Sequence, residues 1–356
     1  MNRLRSFERH RRSLCAAVAI AILVESSSIE TVPQRPTASL PARLDAYLNM
    51  VVHPTKDERT RLMNGEALTR LLDADVTKEL AVFGAIWINV PIRQYIDAVN
   101  DIERFERSPR FKITRRISTP PQLEDFRDLH LSAEDVADLR TCRVGDCELK
   151  LSQQALQAFR TEVDWKAANV QAAADAVMRR LAREYVTGYI EKGNAQLAVY
   201  RDNARPTFVA QELRQLVDQM PALSASIPQV RRYLLEYPAA TMPGATSLFY
   251  WQETQFGLKP VIRISHLVIV EGQEDTVVAS KMLYASHYFW TALELRTLVP
   301  DPARGRGFWL VTINRSRSDG LSGFMGFFIR RRARSEIQSG TLAVLEGTKE
   351  MLEKRK

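Results

Sequence analysis

Histidine and cysteine are scarce in this chain, five and three among 356 residues. A zinc site needs about four Cys, His or acidic ligands in recognisable clusters. The close cysteine pair, Cys142 and Cys147 in "TCRVGDCELKLS", has no second Cys/His pair beside it, and His130 is its only neighbour, 12 residues upstream. Neither a metal nor a cofactor is expected. A glycine-rich phosphate loop is absent, and so is a Gly-x-Ser-x-Gly elbow, which "SDGLSGF" imitates only superficially. The apolar run Leu14–Val24 has 11 residues, far short of the roughly 20 that span a bilayer. There is no internal repeat. A formal charge of +8 is not the extreme balance of a dedicated nucleic-acid binder, so no nucleic-acid partner is expected.

What is present at the N-terminus gives an address. "MNRLRSFERHRRSLCAAVAIAILVESSS" places five arginines before the apolar run and small polar residues after it, the layout of a signal peptide over residues 1–28. Arg11-Arg12 partly matches a twin-arginine signal, so the export route stays open. Cleavage after about Ser28 removes Cys15, five arginines and two glutamates, taking the net charge from +8 to +5. The predicted product is exported, periplasmic or secreted, and Ser/Pro-rich residues 29–42 read as a disordered linker. In that compartment Cys142 and Cys147 read as a small-loop disulfide, since a redox pair favours Cys-x-x-Cys spacing. So short a loop removes little chain entropy and serves to pin a local turn.

Further along, "LPARLDAYLNMVV" predicts a short helix. Val82, Ala85, Ile86 and Ile88, with Phe83 and Trp87, predict a buried strand ending at Asn89-Val90-Pro91. Asn89 is a candidate N-cap, and Pro91 suits a first helical turn. Ile92, Tyr95, Ile96, Val99 and Ile102 then form one apolar helical face. "RFKITRRIST" alternates like an edge strand until Pro120-Pro121. Residues 122–220 are helical in pattern, with breaks at Gly188 and Gly193. "QVRRYLLEYP", "LFYWQETQF", "VIRISHLVIV", "TVVASKMLYASHYFWTALEL" (one long run) and "FWLVTINRS" then read as strands. Short Gly/Pro/Asp turns join them, which predicts antiparallel pairing. A helix from about Gly323 to Lys354 closes the chain. The fold class is α+β, an antiparallel sheet with a long C-terminal helix and a helical insertion.

That order, carried by "AIWINVPIRQYIDAV" (85–99) and the block from Arg231 to Leu352, resembles the START-like, helix-grip superfamily. The resemblance covers residues 79–118 and 229–354 and rests on order rather than on invariant residues; the helical block at 122–220 departs from it. "STPPQLEDF", the Cys-x4-Cys stretch and "YASHYF" are also similar to exported bacterial proteins without an assigned activity. The resemblance implies one domain over residues 43–356, with a curved sheet wrapping the C-terminal helix around an apolar cavity. It implies a lipid or other hydrophobic small molecule as partner, held between sheet and helix.

Ligand contacts would come from the strand residues: His266, His287, Tyr284, Tyr288, Arg263 and Trp251. His266 shares a face with Ile262, Ile264, Val268 and Val270, and His287 with Leu283, Ala285 and Phe289. Tyr284, Ser286, Tyr288 and Trp290 form the opposite face, and sequence does not choose which points inward. An isolated His on an apolar face is usually a core residue; the functional alternative is a ligand anchor or an acid/base. Phe324, Phe327 and Phe328 precede Arg330, Arg331 and Arg332. That juxtaposition suits a peripheral membrane contact, against the plainer reading of buried rings beside a solvated basic face. The leading expectation is therefore an exported binder. An exported hydrolase or cyclase-like enzyme with His287 or His266 as base comes second, and a protein-interaction role for the helical block third.

Overall fold

The computed structural model describes residues 39–108, 111–221, 227–256, 259–321 and 323–354. The predicted signal peptide and the linker up to residue 38 lie outside them.

Local chemistry starts the first elements. The Thr55 hydroxyl accepts from the Glu58 N–H, and the Glu58 carboxylate accepts from the Thr55 N–H. This reciprocal cap opens α2 (Lys56–Met63) behind α1 (Ala42–Val51). A hairpin of β1 (Leu68–Leu71) and β2 (Glu79–Ile88) follows, and all ten residues of β2 are buried. In α3 (Ile92–Asn100) the predicted face is buried through Tyr95, Ile96 and Val99. Asn89 does not cap it. Pro91 holds the N-cap position, and the Asn89 N–H donates instead to Glu353 at 2.8 Å. Helix α4 (Ile102–Phe105) leads to the edge strand β3 (Phe111–Ile117).

The helical block contains α5 (Ala133–Leu139), α6 (Gln153–Glu162), α7 (Val170–Lys192) and α8 (Val209–Asp218). Between the last two lies the two-residue ladder of β4 (Val199–Tyr200) and β5 (Thr207–Phe208). The block runs past its predicted end, because "QVRRYLLEYP" belongs to helix α9 (Ile227–Glu236) and is not a strand. Ile227, Val230 and Leu234 are buried at spacings of three and four, and Pro228 sits in the first turn, where a missing N–H costs nothing. The Cys142–Cys147 disulfide is formed, with Cα atoms 4.5 Å apart. Its loop is zipped to the chain after β4: Gly145 N–H donates to Arg201 O at 2.7 Å and Cys147 N–H to Asp202 O at 2.9 Å.

Strands β6 (Thr246–Phe256), β7 (Lys259–Glu271), β8 (Thr276–Ala285), β9 (Phe289–Pro300) and β10 (Phe308–Ser318) precede α10 (Gly323–Glu353). The predicted long run 276–295 is thus two strands. Ser286–Tyr288 make the turn without Gly, Pro, Asn or Asp, and Tyr288 takes φ 58° to do so. The protein is α+β: eight strands form one antiparallel sheet in the order β1-β2-β10-β9-β8-β7-β6-β3.

Both faces of the sheet are covered. Phe83, Ala85, Val268, Ala279 and Leu283 pack under the helical block. Ile86, Ile88, Leu267, Ile269 and Leu310 pack with α3 and with Leu345 and Leu352 of α10. Helix α10 comes closest at Gly84, where a Cβ would lie 2.7 Å from Leu345 Cδ1 and 3.0 Å from Thr341 Cγ2. Gly84→Val should therefore overpack this contact and lower stability by about 1–3 kcal/mol. Urea unfolding should show a lower midpoint at an unchanged slope.

Candidate functional site

The larger cavity, about 450 Å³, lies between α6, α7, the 195–201 segment and the sheet. Its walls are mainly apolar, with Leu151, Ala155, Met178, Ala182 and Leu197 among them, and Gln153, Gln154, Glu184 and Arg201 bring polar groups. The sheet contributes Ile264 and Tyr284. The register of β8 against β7 slips by one residue beside Ile264, so Leu283 and Tyr284 both enter the core under the helical block. Alternation therefore fails at Tyr284, and the two predicted opposite faces are not separate there. Neighbouring tyrosines are satisfied. Tyr185 O–H donates to Leu283 O at 2.7 Å, and the Tyr200 hydroxyl accepts from Ala285 N–H at 3.2 Å. The Tyr284 hydroxyl is buried and has no hydrogen-bond partner among the described residues. Burial pushes its pKa far up, so it stays a protonated donor. Leaving it unpaired costs about 1–3 kcal/mol.

A second cavity, about 170 Å³, lies between the sheet and α10, where the resemblance implies one. Arg263 is part of its wall; its Nε donates to Gln252 Oε1 at 2.9 Å and its guanidinium lies 4.9 Å over the Phe111 ring. Glu294 also lines it. Burial raises the Glu294 pKa, but the Arg296 guanidinium and the Thr312 hydroxyl outweigh that and hold it below the usual range.

His266 lines neither cavity. It is wholly buried between the rings of Phe249 and Tyr237, with centroids 4.5 and 4.8 Å away. Its Nε2 meets the Ser247 hydroxyl at 2.5 Å, and its Nδ1 meets the Tyr189 hydroxyl at 3.1 Å. Tyr189 in turn meets Lys281 Nζ at 2.7 Å. Lys281 is fully buried, and its other partners are Asn194 Oδ1 and Leu234 O. Gly193 (φ 58°) makes this approach possible, because a Cβ there would overlap Tyr237 O at 1.5 Å. Burial lowers the Lys281 pKa well below the ordinary lysine value, and burial followed by the Lys281 charge does the same to His266. Sequence reasoning missed Lys281, Tyr189 and Ser247. The available signal was a lysine sharing the inward face of Val277 and Ala279 in "TVVASKMLYA".

His287 lies in the turn after β8, not on a strand face, and it too lines neither cavity. Its Nε2 meets Asp135 Oδ1 at 3.0 Å and its Nδ1 meets Glu148 O at 3.1 Å, tying the turn to α5 and to the disulfide loop. Trp251 Nε1–H donates to Asp125 O at 2.8 Å, and the Tyr288 hydroxyl accepts from Lys259 N–H at 3.0 Å. Of the six predicted ligand residues, the two cavities thus take one each, Tyr284 and Arg263. In the basic aromatic stretch, Phe328 is 58% exposed, Arg330 donates to Leu321 O and Arg332 pairs with Glu336 at 2.7 Å. Arg331 is exposed. The side chains of Phe324 and Phe327 lie outside the described set. Among the described residues no helix is long and apolar enough to cross a membrane, and no cluster of three or more His, Cys, Asp or Glu could hold a metal.

The depressed pKa values predict a pH dependence. Below pH 6.5 unfolding lets His266 take up a proton that the folded protein refuses, so its contribution falls as pH drops through the folded value. Lys281 acts likewise below 10.5, so stability should rise with pH towards that value. Each group contributes at most about 1.4 kcal/mol per pH unit. Urea midpoints measured from pH 5 to 10 should climb, the acid limb flattening in His266→Gln and the alkaline limb in Lys281→Met. No known protein family, curated protein or solved structure matches this chain.

Proposed function

We propose that this chain binds a hydrophobic or amphipathic small molecule, such as a lipid, in the cavity between the sheet and the helical block. The observation that carries this reading is the cavity of about 450 Å³ with an apolar wall and the unpaired Tyr284 hydroxyl. Natural ligand sites run roughly 300–1,000 Å³, mostly apolar with a few orienting polar groups. Tyr284 lines this cavity with its hydroxyl buried behind the wall, so a ligand oxygen that drew the ring inward would offset the desolvation of that hydroxyl. The START-like reading gains support from β2 pairing with β10, from α3 following β2, and from α10 lying over β2. The ligand site moves with respect to it: the larger cavity lies under the insertion, on the sheet face away from α10. Export gains support from the disulfide, which persists in oxidising compartments. Exposed Phe328 beside Arg331 and Arg332 fits peripheral contact with an anionic membrane surface.

The test is displacement of an environment-sensitive fluorescent fatty acid, alongside native mass spectrometry with organic extraction. Leu181→Trp should fill the larger cavity and weaken binding at least tenfold, whereas Ala292→Phe, which fills the smaller one, should leave it unchanged. Tyr284→Phe should cost about 1 kcal/mol with ligands carrying an oxygen acceptor. Unaltered binding by Leu181→Trp would sink the assignment.

A further inference from the structure

Apart from both cavities, four side chains form a continuous hydrogen-bonded line from the interior to the surface: Lys281, Tyr189, His266 and Ser247. Ser247 is exposed, at the start of β6, and the other three are buried. Donors and acceptors along this line can be counted in two ways. With Lys281 charged, its three N–H groups donate to Tyr189, Asn194 and Leu234. Tyr189 O–H must then donate to His266 Nδ1, and His266 Nε2–H donates to Ser247. With Lys281 neutral, two N–H groups serve Asn194 and Leu234, and the amine lone pair accepts Tyr189 O–H. The Tyr189 oxygen then accepts His266 Nδ1–H, and Nε2 accepts the Ser247 O–H. Both counts close without an orphan. The charge on one buried amine and the direction of the hydrogen bond at one surface serine are therefore a single variable.

The surroundings select the neutral count. Among the described residues no carboxylate pairs with Lys281. Its partners are a phenol, an amide oxygen and a backbone carbonyl, and burial disfavours its charged form. The other titratable groups facing His266 are Tyr233 of α9, Tyr237 just after it, and Tyr189 of α7. Burial raises the pKa of Tyr189 and Tyr237. His266 thus presents a bare Nε2 to the proton of an exposed hydroxyl, while a third group fixes its ring. A nucleophile, a base and an orienting partner in hydrogen-bond sequence are the signature of an activated nucleophile.

We infer that Ser247 is a reactive serine towards activated acyl donors, with His266 as its general base and Tyr189 and Lys281 as positioning residues that hold the imidazole in its Nδ1–H tautomer. In the step, Ser247 Oγ bonds to the acyl carbon of an ester or thioester and the bond to the leaving oxygen or sulfur breaks. The proton passes from Oγ through Nε2 to the leaving group. The products are acyl-serine and an alcohol or thiol. The Tyr233 hydroxyl, 3.4 Å from Ser247 Oγ, donates to the serine oxygen and leaves its proton directed at His266.

Two measurements on the full chain test this. A fluorophosphonate probe followed by peptide mapping should modify Ser247 at pH 7.5. Labelling should vanish in Ser247→Ala and slow at least about a hundredfold in His266→Gln, the usual worth of a general base. In histidine-labelled protein, ¹⁵N shifts should show His266 as the Nδ1–H tautomer, reversing to Nε2–H in Lys281→Met, a change that mere packing would not produce. Absence of label at Ser247 in the wild-type protein, labelling that survives His266→Gln undiminished, or an Nε2–H tautomer in the wild type would each overturn the assignment.

Discussion

A sheet covered on both faces must pair the charges that its covers bury, and this constraint organises the molecule. Glu79, inside the fully buried β2, meets Arg315 at 2.5 Å and Arg317 at 3.6 Å, and Arg317 continues to Glu212 of α8 at 2.6 Å. Lys150, 2% exposed, pairs with Asp202 at 2.9 Å and with Asp319 beyond β10. His287 meets Asp135 of α5. Three of these six pairs, Arg317–Glu212, Lys150–Asp319 and His287–Asp135, cross from the sheet and its turns to the helical block. Removing one member would strand its partner in a low-dielectric interior, which costs about 3–5 kcal/mol. The insertion is thus fixed to the sheet by a few directional contacts as well as by apolar area, and those contacts set its register.

The same constraint explains what could be read from sequence. Strand β2 is one compact apolar run, and helix α3, the edge strand and the long last helix each carry a period within one element; these signals survive folding. So did the disulfide, whose spacing and inferred compartment agreed. Helix α9 was misread because its stripe begins at Ile227, ahead of the quoted segment, and because Tyr233 and Leu235 make the rest resemble a strand. The turn at Ser286–Tyr288 carries no Gly, Pro, Asn or Asp, and ties from His287 to Asp135 and Glu148 O hold it. The slipped register at Leu283 hid the inward position of Tyr284.

Candidate sites were less legible than elements for a related reason. A ligand wall or a hydrogen-bonded line is assembled from residues far apart in the chain, such as Tyr189, Ser247, His266 and Lys281. Sequence singled out the histidine because histidines are few. It gave no reason to join it to a lysine on the neighbouring strand or to a tyrosine on a helix some 80 positions earlier. The two histidines that looked alike on paper diverge in the fold. His266 is a buried link in a path to the surface, while His287 clamps a turn.

Helix α10 is held at points along its length. Gln338 Nε2–H donates to Thr69 O, Lys349 Nζ–H to Trp87 O, and the Gln94 amide to Leu352 O, while Gly84 lets Thr341 and Leu345 close on β2. The helix roofs the smaller cavity on both sides of Gln338, from Ala333 and Ile337 to Thr341 and Val344. Mechanically this is a beam tied at both ends, since Arg330 is bonded back to Leu321 O near the end that carries Phe328 and Arg331. One rigid element therefore both roofs the smaller cavity and carries the exposed Phe328 and Arg331 ahead of it.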